Sequence, residues 1–346
     1  MNARQIQLML ELCNTQSSTF QTEHMAQFIV QYLHDMDLNP TKDKYGNIYV
    51  TKETTNPDYF PTMVCHIDTV HDINYNAKAL VTCNHIISID TETFERVGTG
   101  GDDKVGIYIT LECLRKFDNF KAVFFLDEEH GCLGSRECNF KYFNDSSFVL
   151  QCDRRGSKDF VNNIAGFKLF GDSTQELIQP TLDKYKRVIT TGGMTDVQQI
   201  ANKTNIACAN MSCGYYDPHT DNEYISIQDV NDTLNLCIDL FTITEFSQQT
   251  VNAPRYTAPH YDYANVNRWT YLSNYEYNAS YYNSNKYKSF QTNEDESIDL
   301  TTNKVCCPDC KTVAEYDHYD ETYYCYNCYG ELLFNYNTNQ YEVHVV

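Results

Sequence analysis

Histidine and carboxylate side chains occur in five small clusters along the chain, each just after an apolar run or a turn that contains glycine. The residues concerned are His66 and Asp68, Asp102 and Asp103, Glu128 and Glu129, Asp153, and His219 with Glu223. Imidazole and carboxylate groups are ligands for Zn²⁺, and an oxygen-rich set also suits Co²⁺ or Mn²⁺. Because crowded carboxylates repel each other unless a cation neutralises them, convergence of these clusters would indicate a metal site.

Three of the clusters close short apolar runs that are typical of buried strands in a parallel sheet. These runs are TMVCHID, KAVFFLDEE and SSFVLQCD. Between the first two lies a helical stretch in which Ile107, Leu111 and Leu114 share one face. Strands that alternate with helices predict an α/β fold, a three-layer arrangement in which a mixed, largely parallel sheet carries helices on both faces. Such folds collect functional groups at the carboxyl ends of the strands, where these clusters lie.

Apolar residues at helical spacing mark further helices in the same region. Residues 6–13 and 25–36 each place apolar side chains on one helical face. Ser226 and Asp229 have the spacing of a capping box, and an apolar stripe follows them as far as Phe241. Between these helices, TDVQQIANK is expected to be helical and NIACANMS to form a strand.

The chain has 346 residues and a formal net charge of −21, which argues against a surface that binds nucleic-acid phosphates. The same excess of acids suits a protein that gathers carboxylates around cations. The first twenty residues are amphipathic and lack a basic start before an apolar core, and no run of about 18 apolar residues occurs. We therefore expect a cytoplasmic protein that binds neither nucleic acid nor a membrane.

The composition changes near residues 248 and 300, which predicts three segments. Residues 1–248 carry the regular patterning and are expected to form the main domain. Residues 249–300 are rich in Tyr, Asn and Ser and poor in aliphatic side chains, so they are expected to form a linker or an irregular extension. Residues 301–346 contain a cluster of cysteines and are expected to form a small module of their own.

This last module contains two C-x2-C pairs separated by fourteen residues, which is the spacing of a zinc ribbon. The four cysteines are Cys307, Cys310, Cys325 and Cys328. So short a module needs a metal to fold, and one structural Zn²⁺ is therefore expected. Because the module is acidic and rich in tyrosine, we expect contact with protein rather than with DNA.

Residues 1–245 resemble the co-catalytic di-zinc exopeptidases, the group that includes peptidase T, bacterial aminopeptidases and related amidases. The matching segments follow the family's order: CHIDTV for H-x-D, GTGGDDKVG for G-x-D-D-K-x-G, LDEEHGCLGS for D-E-E-x-G-x-x-G, QCDRRG at the later aspartate, GGMTDVQQI for G-G-T-D-A, and GYYDPHTDNEYI for H-x-x-x-E. The resemblance implies the family's α/β fold and a hydrolase that uses two metal ions.

The resemblance also implies which residues bind the two ions. One ion would be held by His66, Asp102 and Asp153. The other would be held by Asp102, Glu129 and His219, so that Asp102 bridges the pair.

Two further acids take part in the catalysis that the resemblance implies. Glu128 would be the general base that takes a proton from water and passes it to the leaving amine. Asp68 would support His66 through the second ring nitrogen of that histidine. The peptide between Asp102 and Asp103 is expected to be cis, as in the relatives.

Other polar residues near the motifs have less defined roles. Arg154, Arg155 and Asp196 are candidates for contacts with substrate, although a surface ion pair for the arginines and a position at a helix start for Asp196 fit equally. His71 is expected to be an ordinary loop residue. Glu223 is expected either to enter a helix or to support a ligand.

The chain departs from many relatives after Asp153. Peptidase T and related enzymes insert a lid or dimerisation domain there, whereas only 38 residues separate Asp153 from Gly192 in this chain. That segment is too short for a domain of ordinary size. We therefore expect a compact catalytic domain that lacks the inserted domain.

The favoured function is a metal-dependent exopeptidase, an aminopeptidase that hydrolyses short peptides. A di-zinc amidase or deacylase of N-acyl substrates uses the same metals, and the sequence does not separate the two. A third reading is a non-catalytic scaffold that binds a partner through the zinc ribbon, but every expected ligand and the base are present.

Overall fold

The computed structural model describes residues 1–244 and 247–251, together with the backbone of six short strands between residues 298 and 345. The chain divides into two compact units, Met1–Tyr256 and Thr257–Val346. Within the described residues, none of the helices has the length and apolar character needed to span a membrane.

The first unit alternates strands with helices, as the sequence predicts. In chain order its elements are α1 (Ala3–Asn14), α2 (Glu23–His34), β1 (Thr41–Lys42), β2 (Ile48–Lys52), β3 (Phe60–His66), β4 (Ala77–Thr82), β5 (His85–Asp90), β6 (Arg96–Val97), α3 (Gly101–Lys116), β7 (Phe120–Phe125), α4 (Leu133–Arg136), β8 (Ser146–Gln151), β9 (Asp159–Ile164), β10 (Phe167–Lys168), α5 (Asp172–Lys184), β11 (Val188–Gly192), α6 (Asp196–Thr204), β12 (Cys208–Met211), β13 (Tyr215–Tyr216), β14 (Tyr224–Ser226) and α7 (Ile227–Thr244). A single 3-10 turn (Phe140–Phe143) precedes β8.

The central sheet is mixed, with a parallel middle. Its strand order is β1-β2-β7-β3-β8-β12-β9-β10, and β11 pairs with β9 beside this path. Strand β3 is parallel to both β7 and β8, and β12 is parallel to β8. Strands β2 and β9 pair antiparallel with β7 and β12, respectively. Helices flank the sheet, so the predicted α/β fold class is confirmed.

The middle strands explain the continuous apolar runs of the sequence. Every residue of β3, β7 and β8 is buried, as expected for strands that are covered on both faces. Helix α3 leads into β7, after β4, β5 and β6, and is buried from Asp103 to Leu114. Because β3, β7 and β8 run parallel, the residues that follow them emerge at the same edge of the sheet.

Residues 154–191 follow β8 and supply the strands at one end of this sheet. They form β9, β10, α5 and most of β11, all within the first unit. The segment is therefore part of the first unit and does not form an inserted domain of its own.

The structure also contains a second, smaller sheet, whose strands the sequence did not predict. It has the order β13-β14-β5-β4, with β6 paired to β5. The β4–β5 hairpin is largely exposed, so its strands lack the long apolar runs that mark the central ones. This sheet carries the loop between β13 and β14, which contributes to the site described below.

The predicted capping box at the start of α7 is only half formed. The Ser226 hydroxyl accepts the backbone N–H of Asp229 at 3.4 Å. The reciprocal bond is absent because the Ser226 N–H donates to the Gly214 carbonyl. The Asp229 carboxylate instead accepts the Tyr216 hydroxyl at 2.8 Å. Tertiary partners have replaced the local bond.

The second unit is described as backbone strands only. Strands β15 (Ile298–Asp299) and β16 (Lys304–Val305) pair antiparallel. The remaining strands, β17 (Glu315–Asp317), β18 (Thr322–Cys325), β19 (Gly330–Asn335) and β20 (Gln340–Val345), form an antiparallel sheet in that order. The predicted zinc ligands Cys307, Cys310 and Cys328 lie outside the described residues, as does the side chain of Cys325. Most of the predicted linker 249–300 also lies outside them.

Candidate active site

Five predicted ligand residues lie at one edge of the central sheet. His66 is the last residue of β3, Glu129 follows β7, and Asp153 follows β8. Asp102 lies in the first turn of α3, and His219 lies in the loop between β13 and β14. Residues far apart in the chain therefore meet because three parallel strands end together.

The first group consists of His66, Asp102 and Asp153, whose ligand atoms all lie within 4.8 Å of one another. The His66 Nε2 atom is 3.1 Å from Asp102 Oδ1 and 3.6 Å from Asp153 Oδ1. The imidazole is fully buried. A neutral His66 that donates from Nδ1 would present Nε2 to a cation with both carboxylates beside it.

The second group consists of Asp102, Glu129 and His219, again with ligand atoms within 4.8 Å of one another. The His219 Nε2 atom is 3.4 Å from Asp102 Oδ2 and 3.4 Å from Glu129 Oε1. Asp102 thus turns one oxygen toward each group. The His219 backbone has a φ of 64°, a left-handed conformation that is uncommon for a residue other than glycine.

The charges of these residues are poorly compensated by the protein alone. Burial, followed by the neighbouring Asp102, raises the pKa of Asp153 to about 7. Burial and Asp102 also raise the pKa of Glu129. Although partial burial favours a neutral ring, bonds to Asp102 and Glu129 raise the pKa of His219 to about 11. Without a cation, the acids of the cluster must bind protons to reduce the repulsion between them.

These observations fit a pair of divalent cations. Among the described residues, the buried Glu129 Oε1 atom makes no hydrogen bond of normal geometry, although His219 Nε2 lies 3.4 Å away, and a buried carboxylate oxygen in that position is suited to a metal ion. The two groups combine imidazole nitrogens with carboxylate oxygens on either side of Asp102, a mixed donor set that suits Zn²⁺ and is also compatible with Co²⁺ or Mn²⁺.

Asp68 connects the ends of β3 and β7. The His66 Nδ1 atom donates to the Asp68 main-chain oxygen at 3.0 Å and lies 3.5 Å from its carboxylate. The same carboxylate accepts the N–H groups of Glu128 and Glu129, at 3.0 and 3.2 Å, and the Thr19 hydroxyl at 2.9 Å. Asp68 therefore orients both the histidine ring and the backbone that carries two acids.

Glu128 directly precedes Glu129, and its pKa is set by burial and by the charged residues of both groups. Burial raises its pKa well above the usual range. Its Oε1 atom accepts the thiol of Cys132 at 3.2 Å. A buried glutamate that holds a proton readily is suited to general acid–base chemistry.

The turn that carries Asp102 is held by hydrogen bonds to residues of two other segments, His66 and Glu223. The peptide between Asp102 and Asp103 is cis, as the resemblance implies. The Asp103 carboxylate accepts the N–H groups of Gly106 and His66, at 3.0 and 3.3 Å. The buried Glu223 accepts the N–H groups of Gly100 and Asp102, at 2.5 and 3.2 Å.

His71 is part of this support, which the sequence did not predict. Its Nε2 atom is 3.0 Å from Glu223 Oε2, and its ring fills the space that a side chain at Gly98 would take. His71 does lie in a loop, but the prediction of an ordinary loop residue was wrong. No sequence signal joins His71 to Glu223, because the two residues are 152 positions apart.

The candidate substrate residues have structural partners. The Arg154 Nε atom donates to Asp159 at 2.7 Å, and the Arg155 carbonyl accepts the Ser212 hydroxyl at 2.7 Å. Asp196, at the start of α6, is buried and accepts the Gln151 side-chain amide at 3.1 Å. Burial raises the pKa of Asp196 to about 6.

Gln151 links Asp196 to a proposed ligand. The same Gln151 amide donates to Asp153 Oδ2 at 3.0 Å, and the Thr195 hydroxyl donates to that oxygen at 3.1 Å. Asp196 therefore supports the residues around Asp153 instead of facing open space. Its contact with substrate remains a prediction.

No family model matches the chain, and no curated protein matches it in sequence. Solved structures nevertheless have similar folds. Aminopeptidase PepT from Bacillus cereus has a TM-score of 0.60 and 15% identity, covering 70% of this chain and 98% of that one. A tripeptidase from Staphylococcus aureus has a TM-score of 0.60 and 16% identity with the same coverage. An aminopeptidase from the archaeon Desulfurococcus kamchatkensis has a TM-score of 0.56 and 12% identity, covering 70% of this chain and 95% of that one. At these identities the similarity establishes the fold.

Proposed function

We propose that this chain is a metal-dependent exopeptidase, an aminopeptidase that removes residues from the amino end of short peptides. The observation that carries the proposal is the pair of ligand groups that share Asp102, with Glu128 beside them. The motifs of the di-zinc exopeptidases and the fold similarity to an aminopeptidase and a tripeptidase support the same reading.

Two Zn²⁺ ions would be held by the residues described above. His66, Asp102 and Asp153 would hold one, and Asp102, Glu129 and His219 the other. When bound, such a pair supplies an acidified water molecule and polarises the carbonyl of the bond to be cleaved.

Glu128 would move the proton during hydrolysis. Its carboxylate takes a proton from the attacking water and delivers it to the nitrogen of the leaving amine, so that the peptide bond is replaced by a carboxylate and a free amine. Burial raises the pKa of Glu128, so its ionised carboxylate is a stronger base than that of an exposed glutamate and holds the proton between the two steps. Asp68 fixes the base by accepting the Glu128 N–H at 3.0 Å.

A free peptide amino group is a substrate group that a two-metal site can bind. In its neutral form the amine could ligate one of the two ions that Asp102, Glu129 and Asp153 would hold together with the two histidines. The acylated nitrogen of an N-acyl substrate has no free lone pair for this role. This difference favours an aminopeptidase over an amidase or deacylase.

The test uses the purified, metal-loaded full chain with two peptide libraries that differ only in N-terminal acetylation. Products are identified by mass spectrometry. We expect the free peptides to lose single residues from their amino ends, while the acetylated peptides stay intact. Release of acyl groups alone would make the chain a deacylase instead.

For the C-terminal unit we propose a separate, structural role. Its four cysteines, Cys307, Cys310, Cys325 and Cys328, would bind one structural Zn²⁺ in a ribbon spanning residues 301–346. The acidic, tyrosine-rich composition of this unit favours contact with a protein. The catalytic domain would then comprise residues 1–248, with 249–300 as the connecting segment.

A further inference from the structure

Phe20 presents an exposed aromatic ring close to the candidate active site. Its side chain is 58% exposed, and its backbone has a φ of 64°. This left-handed region is uncommon for a bulky residue, so the backbone at Phe20 must be held by its tertiary contacts. Since the ring gains little burial, core packing does not explain why the fold retains it.

Two hydrogen bonds hold the segment around Phe20 against the acids of the site. The Phe20 N–H donates to Asp127 Oδ1 at 3.1 Å, and Asp127 directly precedes Glu128. The Thr19 hydroxyl donates to Asp68 at 2.9 Å. The ring is therefore presented from a fixed backbone that is attached to the same residues that orient the proposed base.

The Phe20 ring also contacts the residue that follows a proposed ligand. Its centroid is 5.0 Å from that of His130, edge to face, and His130 directly follows Glu129. On the other side of the segment, Thr69 pairs with Ser18. Val70, the next residue, is 41% exposed. Phe20 and Val70 thus lie on two paired segments, one bonded to Asp68 through Thr19 and the other following Asp68 in the chain.

We propose that Phe20, together with Val70, forms the wall of a subsite for the side chain of the substrate's first residue. This inference rests on the proposed aminopeptidase function and adds a substrate class to it. With the peptide's amino group bound at the two ligand groups, its first side chain would pack against the ring, where burial of an apolar group is favourable. The preferred substrates are short peptides that begin with a large apolar residue.

The test compares Phe20→Ala with Phe94→Ala in the full, metal-loaded chain. Phe94 is a matched control, because it is 77% exposed, has a φ of 60° and lies in the turn between β5 and β6. The measured quantity is the ratio of kcat/KM for Leu-Gly-Gly to that for Gly-Gly-Gly. We expect Phe20→Ala to lower this ratio about tenfold, the effect of losing part of an apolar pocket, and Phe94→Ala to leave it unchanged.

A binding measurement separates this subsite from the proposed function. In the Glu128→Gln background, calorimetry should show tighter binding of Leu-Gly-Gly than of Gly-Gly-Gly, and adding Phe20→Ala should remove the difference. A chain that binds with this preference but cleaves neither peptide would retain the subsite and lose the function. Cleavage of both peptides with a ratio that Phe20→Ala does not change would overturn the subsite alone. Failure to bind either peptide, or an effect of Phe20→Ala on self-association only, would also overturn it.

Discussion

Replacing Glu223 by glutamine should weaken the turn that carries Asp102. One carboxylate oxygen of Glu223 accepts the Gly100 N–H at 2.5 Å, and the other accepts the Asp102 N–H at 3.2 Å. The His71 ring approaches the first of these oxygens at 3.0 Å. Glutamine has nearly the same shape, but an NH₂ group replaces one of the two carboxylate oxygens. That NH₂ group would face a backbone N–H group and could not accept its hydrogen bond. The substitution therefore removes an acceptor without creating a cavity.

The expected loss of stability follows from the removal of one hydrogen-bond acceptor at a buried site. A buried donor left without a partner costs about 1–3 kcal/mol. For a domain of this size each kcal/mol lowers Tm by roughly 2–4 °C. Because Asp102 belongs to both ligand groups, displacement of its turn should also weaken metal binding, and substitutions behind metal ligands typically reduce affinity by about 10–100-fold.

The assay combines thermal unfolding of the metal-free protein with a Co²⁺ titration followed by visible absorption. Asp221→Asn is the control, since Asp221 is an exposed carboxylate in the same loop and its loss removes the same charge. We expect the control to match the parent chain in both measurements. If Glu223→Gln also matched the parent chain in Tm and in Co²⁺ affinity, the supporting role assigned to Glu223 would be refuted.

Three further predictions concern the base, the metals and the turn. Glu128→Gln should retain the metals but lose peptide hydrolysis, as measured by product formation and metal analysis; undiminished hydrolysis would remove Glu128 as the base. Metal analysis of the loaded chain should find about three zinc-type ions. The Cys310→Ser substitution should lower this count by one while peptide hydrolysis persists. A count of one ion or none in the parent chain would contradict both site assignments. Gly106→Ala would bring a Cβ atom to 2.2 Å from Asp103 Oδ1, so we expect about 1–3 kcal/mol lower stability in urea unfolding; stability equal to that of the parent chain would show that the turn adapts freely.

The order of the central elements was predictable because its signal is local. The apolar runs that end at His66, Leu126 and Gln151 mark buried strands by composition alone, and α3 is marked by its apolar face. Once those strands are taken as parallel, the acids and histidines that follow them must gather at one edge. The small sheet around the β4–β5 hairpin was missed, since its exposed strands carry no comparable run.

The contacts that support the proposed ligands could not be predicted from residues that are close together in the sequence. Glu223 and His71 are joined across 152 residues, and Asp68 reaches Glu128 across 60. The capping box at Ser226 failed for the related reason that Tyr216 and Gly214 offered tertiary partners. Such pairs depend on the path of loops in space, which residue types and spacing do not specify.

The amino-acid sequence by itself therefore determined the types of the proposed ligands, their order along the chain and the strands that deliver them. The tertiary structure alone decided that Asp102 faces two groups with its two oxygens, that Asp68 and Glu223 hold the surrounding backbone, and that Phe20 lies beside them with its ring exposed. The physical reason is that strand formation follows from nearby residues, whereas the direction of a buried carboxylate is set by donors that only folding brings within about 3 Å.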